Sequence, residues 1–468
     1  MTSLLSAGDP TPITSRTQLV DYLARGERPR EGWLVGSEYE KIALHTGTGA
    51  PLAYLPDGDV PGIRTLLEEL TGCCGWVPGY DAGALISLRT QDASVTLEPG
   101  GQFELSGAPL PTVHAMVVEL QRHEAELAHL AQRLPLEWLW VGANPLHRLD
   151  QIHWMPKRRY GIMRRYLPTR GRYAHHMMQS TCTVQANLDF ESETDMADKL
   201  RTSMGVSSIV TAMFANSPLQ HGRPSGFKSF RAEVWSDVDP DRQGLLDHVF
   251  DGSGPSYDRW VEYALGVPLF FIMRGDDYLD CAGLRFGDFL RNGYQGHEAR
   301  MGDWELHLST LFPDVRLKTY LEMRTADCVK PAVLPALPAL WKGLLYDPGA
   351  RAAAWDLVKR WSMEERRAHR DAVARDALDA PAPGGRFTTL ELARELLSIA
   401  RESLRGMAES ATLPGGDFVA DESTYLDGLE ALIRSGRCPA DLTLAWYERT
   451  QPGPEQIIAH YRASWAEY

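Results

Sequence analysis

Residues 181–190 read TCTVQANLDF, and from Thr183 onward they alternate: Thr183, Gln185, Asn187 and Asp189 fall on one face, Val184, Ala186, Leu188 and Phe190 on the other. Side chains of a strand point to opposite sides in turn, so this pattern predicts a strand with its apolar face on a core. Its other face offers oxygens and amides. Three further segments repeat the device. In GSEYEK (36–41) Glu38 and Glu40 project together, with Tyr39 between them. In VTLEPGGQFEL (95–105) Glu98 and Glu104 bracket a Pro-Gly-Gly turn that lets the chain bend back and aim both carboxylates into one place. In TYLEMR (319–324) Glu322 and Arg324 share a face opposite Leu321 and Met323.

A single Glu-x-Glu pair is ordinary on the solvent side of an antiparallel strand. Four polar faces in one chain, each backed by apolar residues, point instead to one site. Carboxylates so close repel one another unless a cation lies between them. Hard oxygen donors without cysteine or paired histidine suit Mg²⁺ or Mn²⁺ rather than zinc, and hence phosphate chemistry. Basic residues gather as well: MPKRRYGIMRRY (155–166) supplies Lys157, Arg158, Arg159, Arg164 and Arg165, while Arg231 in FKSFRAEVW and Arg324 are flanked by aromatic or apolar residues. An arginine in such surroundings needs a partner, and a substrate carboxylate held by both arms of the guanidinium is one. His175 and His176 are expected to pack or face solvent.

Outward from these segments, a helix is predicted over Arg16–Arg25, with Leu19, Tyr22 and Leu23 on one face and Ser15 or Thr17 as cap. Strand signals follow from Trp33 to Leu105, then a helix over 110–134 with Val113, Met116, Val117, Leu120, Leu127 and Leu130 near a 3.6 period. A second strand-rich stretch runs from Thr181 to Arg324 through STCTVQANLDF, PLFFIM and VRLKTYLEMR, with helical material at Asp195–Met204. Strands and helices mix without a βαβ rhythm, which favours an α+β fold. After PAVLPALPALW (331–341), PAPGG (381–385) reads as a linker; Thr388-x-x-Glu391 forms a capping box ahead of a stripe of Leu390, Ala393, Leu397, Ala400 and Leu404. The expected division is a catalytic α+β part, residues 1–350, and a helical layer, 351–468, packed on it.

Composition bounds the rest. With 468 residues and 44% hydrophobic side chains the chain can bury a large core. A net charge of −14 argues against affinity built on phosphate neutralisation along nucleic acid. MTSLLSAGDPTPIT has no basic stretch leading into an apolar one, and no uncharged apolar run reaches spanning length, so a cytoplasmic protein without membrane contact is expected. The six cysteines show neither a disulfide framework nor zinc spacing, and the adjacent Cys73 and Cys74 are expected to be small buried hydrophobes. GxxxxGK[ST] and a GxGxxG following a strand are both missing, so a nucleotide would be held through metals and arginines.

Taken in order, GSEYEKIAL, SVTLEPGGQFELSGAPL, MPKRRYGIMRRY, CTVQANLDF, ANSPL, FRAEVWSDVD, VPLFFI, DWELHLSTLFPDVRLKTYLEMR and LWKGLLYD resemble the plant and proteobacterial type of glutamate-cysteine ligase, from about residue 33 to 347. The resemblance implies a glutamine synthetase-like fold, a curved antiparallel sheet forming a bowl with helices outside. It implies ATP as co-substrate, Mg²⁺ or Mn²⁺, and L-glutamate joined to L-cysteine through a γ-glutamyl phosphate, the first step of glutathione biosynthesis. By the same resemblance Glu38, Glu40, Glu98, Glu104, Gln185, Asn187 and Glu322 are expected at the metals. Arg159, Arg231 and Tyr263, with Arg164, Thr183 and Trp235, are expected at the substrate, and Lys157, Gln102 and Arg324 at the nucleotide. Arg324 would stabilise phosphate, and Arg231 is expected with it among the catalytic residues. Plant members carry regulatory disulfides; one such cysteine aligns with Cys281, but AGLRFGDFLRNGYQG after it holds no partner and VHAMVVEL lacks another, so a plant-style redox switch is not expected. The motifs leave the acceptor amine open. A ligase with another acceptor, an inactive homologue and a guanidino kinase of the same superfamily are the alternatives; a monomer or homodimer is expected.

Overall fold

Val184–Leu188 is a strand, and it lies inside an antiparallel sheet whose members are β1 (Val35–His45), β2 (Val77–Asp81), β3 (Ala84–Arg89), β4 (Ser94–Leu97), β5 (Phe103–Ser106), β6 (Leu136–Leu139), β7 (Val184–Leu188), β8 (Val315–Leu317) and β9 (Leu321–Met323). The order is β8-β9-β7-β1-β5-β4-β3-β2, with β6 on the far half of β1. The computed structural model describes residues 8–410 and 421–462. Residues 1–7 of the N-terminal stretch read above lie outside them, as do 411–420 and 463–468 of the C-terminal segment. Among the described residues the sheet is open and does not close into a barrel.

Register aligns the polar positions in rows. Arg316 stands opposite Glu322, and Glu322 opposite Asn187; Gln185 faces Glu38, which faces Ser106; Glu40 faces Glu104, which faces Thr96. The intervening residues Tyr39, Phe103, Leu105, Val184, Ala186, Leu188, Leu321 and Met323 are all buried. The helices Val113–Arg133 and Ala336–Leu345 pack on the sheet. Lys41 also falls on the apolar side, fully buried, its Nζ 4.9 Å from the Tyr39 ring and 5.5 Å from that of Trp140. Burial lowers its pKa to about 8. Asp189, the last of the alternating polar residues, is structural: it accepts the Leu34 N–H at 2.8 Å, while its own N–H donates to the Tyr346 hydroxyl at 2.9 Å.

Helices Arg16–Ala24, Val113–Arg133 and Glu193–Met213 occupy segments read as helical, and the Thr388/Glu391 capping box precedes the helix Thr389–Ser410. Three readings are corrected. The stretch 33–105 is not all strand: Ile63–Cys74 is a helix burying Ile63, Leu66, Leu67 and Leu70 at a helical period. VRLKTYLEMR is not one strand but a hairpin, β8 and β9 joined through Lys318, Thr319 and Tyr320. Cys73 and Cys74 are not two buried hydrophobes; at the end of the helix Ile63–Cys74, Cys73 is exposed and Cys74 half-buried against the core, and they are joined to each other as a disulfide, whereas Cys182, Cys281, Cys328 and Cys438 are buried free thiols. The helices Pro348–Val358 and Met363–Asp376 pack on Glu193–Met213, and Thr389–Ser410 packs on Ala336–Leu345.

Candidate active site

The polar face of the sheet floors an open cleft. Four carboxylates line it: Glu38 and Glu40 from β1, Glu104 from β5, and Glu98 from the end of β4. The Pro-Gly-Gly turn brings the last two together, with the Glu98 N–H on the Gln102 carbonyl at 2.9 Å. Gly100 is obligatory there, because an added Cβ would meet the Gln179 carbonyl oxygen at 2.2 Å. Glu40 and Glu104 are directly opposite each other, an arrangement that repels when both are ionised. Burial, and then the carboxylates of Glu98 and Glu104, push the Glu40 pKa well above the usual range; burial, Glu38 and Glu98 raise Glu104 to about 7. Among the described residues no three His, Cys, Asp or Glu side chains converge tightly enough to hold one ion. Asn187 donates to Glu38 at 2.9 Å while its own Oδ1 is buried without a hydrogen-bond partner.

Across the cleft stands a group of cations. Arg316, Lys318 and Arg324 all line it, and all three pair with the fully buried Glu322: Arg316 at 2.6 Å, Lys318 at 3.1 Å, and Arg324 in closer contact. Burial alone would raise the Glu322 pKa, but these three cations hold it well below the ordinary range. Glu322 therefore lies beneath the cations and not among the four carboxylates. Arg324 also donates to Gln185 Oε1 at 2.9 Å, and Arg316 to the carbonyls of Ser309 and Leu311 at 2.7 and 2.9 Å.

The third wall has unpaired donors. Arg231 is buried, with its Nη atoms on the carbonyls of Thr325 (3.0 Å) and Arg324 (2.8 Å), yet its Nε has no partner. The Nε of Arg159 and the Nε1 of Trp235 are likewise buried and unpartnered, and all three residues line the cleft. Buried donors of this kind are costly unless a ligand accepts from them. Thr183 completes the floor, its N–H on Glu40 at 2.9 Å.

Besides Glu322, four expected residues do not line the cleft, Asn187 among them. Arg164 is exposed and lies over the Trp154 ring at 4.5 Å; five residues after Arg159 on the helix Arg158–Tyr166, it points to the opposite side. Lys157 is buried behind the Pro-Gly-Gly strand, its Nζ on the Leu97 carbonyl at 2.6 Å. Burial, with Arg159 nearby, lowers its pKa to about 7. Tyr263 packs between the rings of Trp260 and His248 outside the cleft. Gln102 does line the cleft but is committed to its backbone, taking the Gly100 N–H at 2.9 Å and donating to Thr181 at 3.0 Å. Arg316 and Lys318 were not anticipated. Once the hairpin is recognised, the alternation R-x-K before its turn and E-x-R after it reveals them.

A model of glutamate-cysteine ligase family 2 matches residues 34–460. The chain is 39% identical over 442 residues to the rice protein "Glutamate--cysteine ligase B, chloroplastic", covering 93% of this chain and 84% of that one. It is 38% identical over 441 residues to the Arabidopsis thaliana "Glutamate--cysteine ligase, chloroplastic", covering 93% and 80%. The chain belongs to glutamate-cysteine ligase family 2. The solved glutamate-cysteine ligase of Francisella tularensis, in complex with AMP, shares the fold at a TM-score of 0.57 and 13% identity, over 92% of this chain and 87% of that one.

Proposed function

We propose that this chain joins the γ-carboxylate of L-glutamate to the amine of L-cysteine, cleaving ATP to ADP and phosphate. One observation carries the reading: four carboxylates and three cations line one cleft together with Arg159, Arg231 and Trp235, each of which has a buried N–H without a partner. The donor chemistry suits a hard cation, being oxygens only with like charges opposed, while no three of these carboxylates are gathered about one point as they stand. Glu38, Glu40, Glu98 and Glu104, with Gln185, would hold Mg²⁺ or Mn²⁺, which when bound supplies positive charge to the phosphate oxygens of ATP.

The glutamate γ-carboxylate oxygen attacks the γ-phosphorus, and the bond to the ADP oxygen breaks. Arg316, Lys318 and Arg324 offset the charge on the transferring group, and Glu322 keeps the three aimed at one place. The free N–H groups of Arg231 and Arg159 take the α-carboxylate, so that only the γ end reaches phosphorus. The cysteine amine nitrogen then attacks the acyl carbon, the carbon–oxygen bond to phosphate breaks, and the nitrogen's surplus proton leaves with the phosphate. Met163, Met177, Met178 and Phe271 in the cleft wall keep water from the acyl phosphate.

Incubation with ATP, L-glutamate, Mg²⁺ and a panel of amines, monitored by ADP release and product mass, tests the assignment. The expected product is γ-glutamylcysteine with equimolar ADP. A product formed only with a different amine, or no ADP with any amine, contradicts it.

A further inference from the structure

The five-residue helix Phe230–Val234 carries Arg231 and, just past its end, Trp235 into the cleft. So short a helix does not sustain itself, because nucleation costs more than its few hydrogen bonds return. Its start is fastened to buried Asp327. Ser229, which caps Ala232, donates to Asp327 Oδ1 at 2.8 Å; Ser217, which accepts the Arg231 N–H, donates to Oδ2 at 2.6 Å. Its end is fastened by a residue from the C-terminal helices. Nη2 of Arg370, on Met363–Asp376, donates to the Trp235 carbonyl and to Asp314 Oδ1, each at 3.1 Å.

Asp314 leads to the other side of the cleft. It is buried, and its carbonyl accepts the Arg324 N–H at 3.2 Å. Its own N–H donates to Gly244, whose backbone lies so close to the Arg370 guanidinium that an added Cβ would be 3.6 Å from Nη1. A small second recess lined by Arg370 and Asp314 shares Arg231, Trp235, Phe312 and Arg324 with the main cleft. One guanidinium thus adds, beside the bonds from Arg231 itself to the Arg324 and Thr325 carbonyls, a second tie that holds the Trp235 end of the segment to the strand leading into Arg324.

We propose that Arg370 is a positioning residue for the ligase reaction, fixing the Trp235 end of the Arg231–Trp235 wall while Arg231 holds the other end to the Arg324 carbonyl. The inference rests on the ligation proposed above. Removing Arg370 takes a donor from the Trp235 carbonyl and from a buried carboxylate, and frees the glutamate-facing wall to shift. Small displacements of this kind reduce catalysis far more than they reduce folding. The carboxylate cluster makes no contact with Arg370 and is left in place.

Steady-state kinetics of the full chain, with each substrate varied, compare wild type with Arg370→Met, Arg370→Lys and Arg367→Met. For Arg370→Met the glutamate KM is expected to rise about tenfold with a fall in kcat, while the ATP KM stays within about twofold. Arg370→Lys keeps the charge but reaches less far and cannot lie flat on Gly244, so partial recovery is expected. Arg367→Met, on the same helix but paired with Asp247 at the surface, should match wild type. If the Met variant does not fold, the intermediate glutamate KM of Arg370→Lys carries the test. An active wild type with unchanged glutamate KM and kcat in the Arg370 variants overturns the positioning role alone, as does an ATP KM that rises in step with that of glutamate. A wild type that makes no γ-glutamyl product overturns the ligation reading and this role with it.

Discussion

Arg231 is buried, yet its Nε has nothing to donate to, and Arg159 and Trp235 beside the same cleft repeat the condition. Three such donors around one cleft are consistent with the substrate carboxylate proposed there. Arg231→Lys should therefore raise the glutamate KM by tenfold or more, because an ammonium cannot hold two backbone carbonyls and a substrate together; an unchanged KM in steady-state assays would remove Arg231 from the substrate. Glu40 shows the opposite relation between stability and function. It stands opposite Glu104, and burial beside other carboxylates raises its pKa. Glu40→Gln should be as stable as wild type or more so, by up to about 1 kcal/mol in urea denaturation without added metal, while turnover falls by at least about a hundredfold. Loss of stability together with retained turnover would contradict that. Much of this was legible at single positions, since alternation alone puts Glu38, Glu40, Gln185 and Asn187 on one face. It could not reveal that Lys157 and Tyr263 are turned away, because their orientation depends on strands and rings far along the chain.

At the scale of elements, the clearest lesson is the hairpin β8–β9. Read as one strand, VRLKTYLEMR offers Glu322 and Arg324; folded back at Lys318, it sets Arg316 opposite Glu322 and assembles three cations on one carboxylate. The turn has no glycine or proline to mark it, which is why the sequence hides it. The helix Ile63–Cys74 was hidden differently: its apolar period is plain, but it is short and set between strong strand signals. His369 joins three helices, its ring nitrogens 2.8 Å from Ser208 Oγ and 2.9 Å from Thr389 Oγ1, and burial lowers its pKa to about 4. The folded state thus prefers the neutral ring. Its contribution to stability is complete above the unfolded pKa near 6.5 and is lost as pH falls from there towards 4. Between pH 7.5 and 5, urea denaturation of wild type should lose about 2 kcal/mol that His369→Asn does not lose; equal losses would mean that the ring does not titrate this way.

For the whole molecule, composition and strand–helix mixture carried the α+β class, and no more. Nothing local to residue 38 or residue 185 says that β1 and β7 are neighbours, since pairing at that separation is fixed by the collective burial of both apolar faces. The bowl came from the family resemblance, and the family itself is shown by a match over residues 34–460. The C-terminal helices were the least legible part. Their stripes predict packing but not on what, and only the folded chain brings Arg370 against Trp235 and Asp314. The central claim is that glutamate is activated through its γ-carboxylate by direct attack on ATP. Turnover with L-glutamate carrying ¹⁸O in both γ-carboxylate oxygens, followed by mass analysis of the released phosphate, tests it most directly. Direct attack leaves one ¹⁸O atom in each phosphate when the carbon–oxygen bond breaks; γ-glutamylcysteine formed with unlabelled phosphate would contradict it.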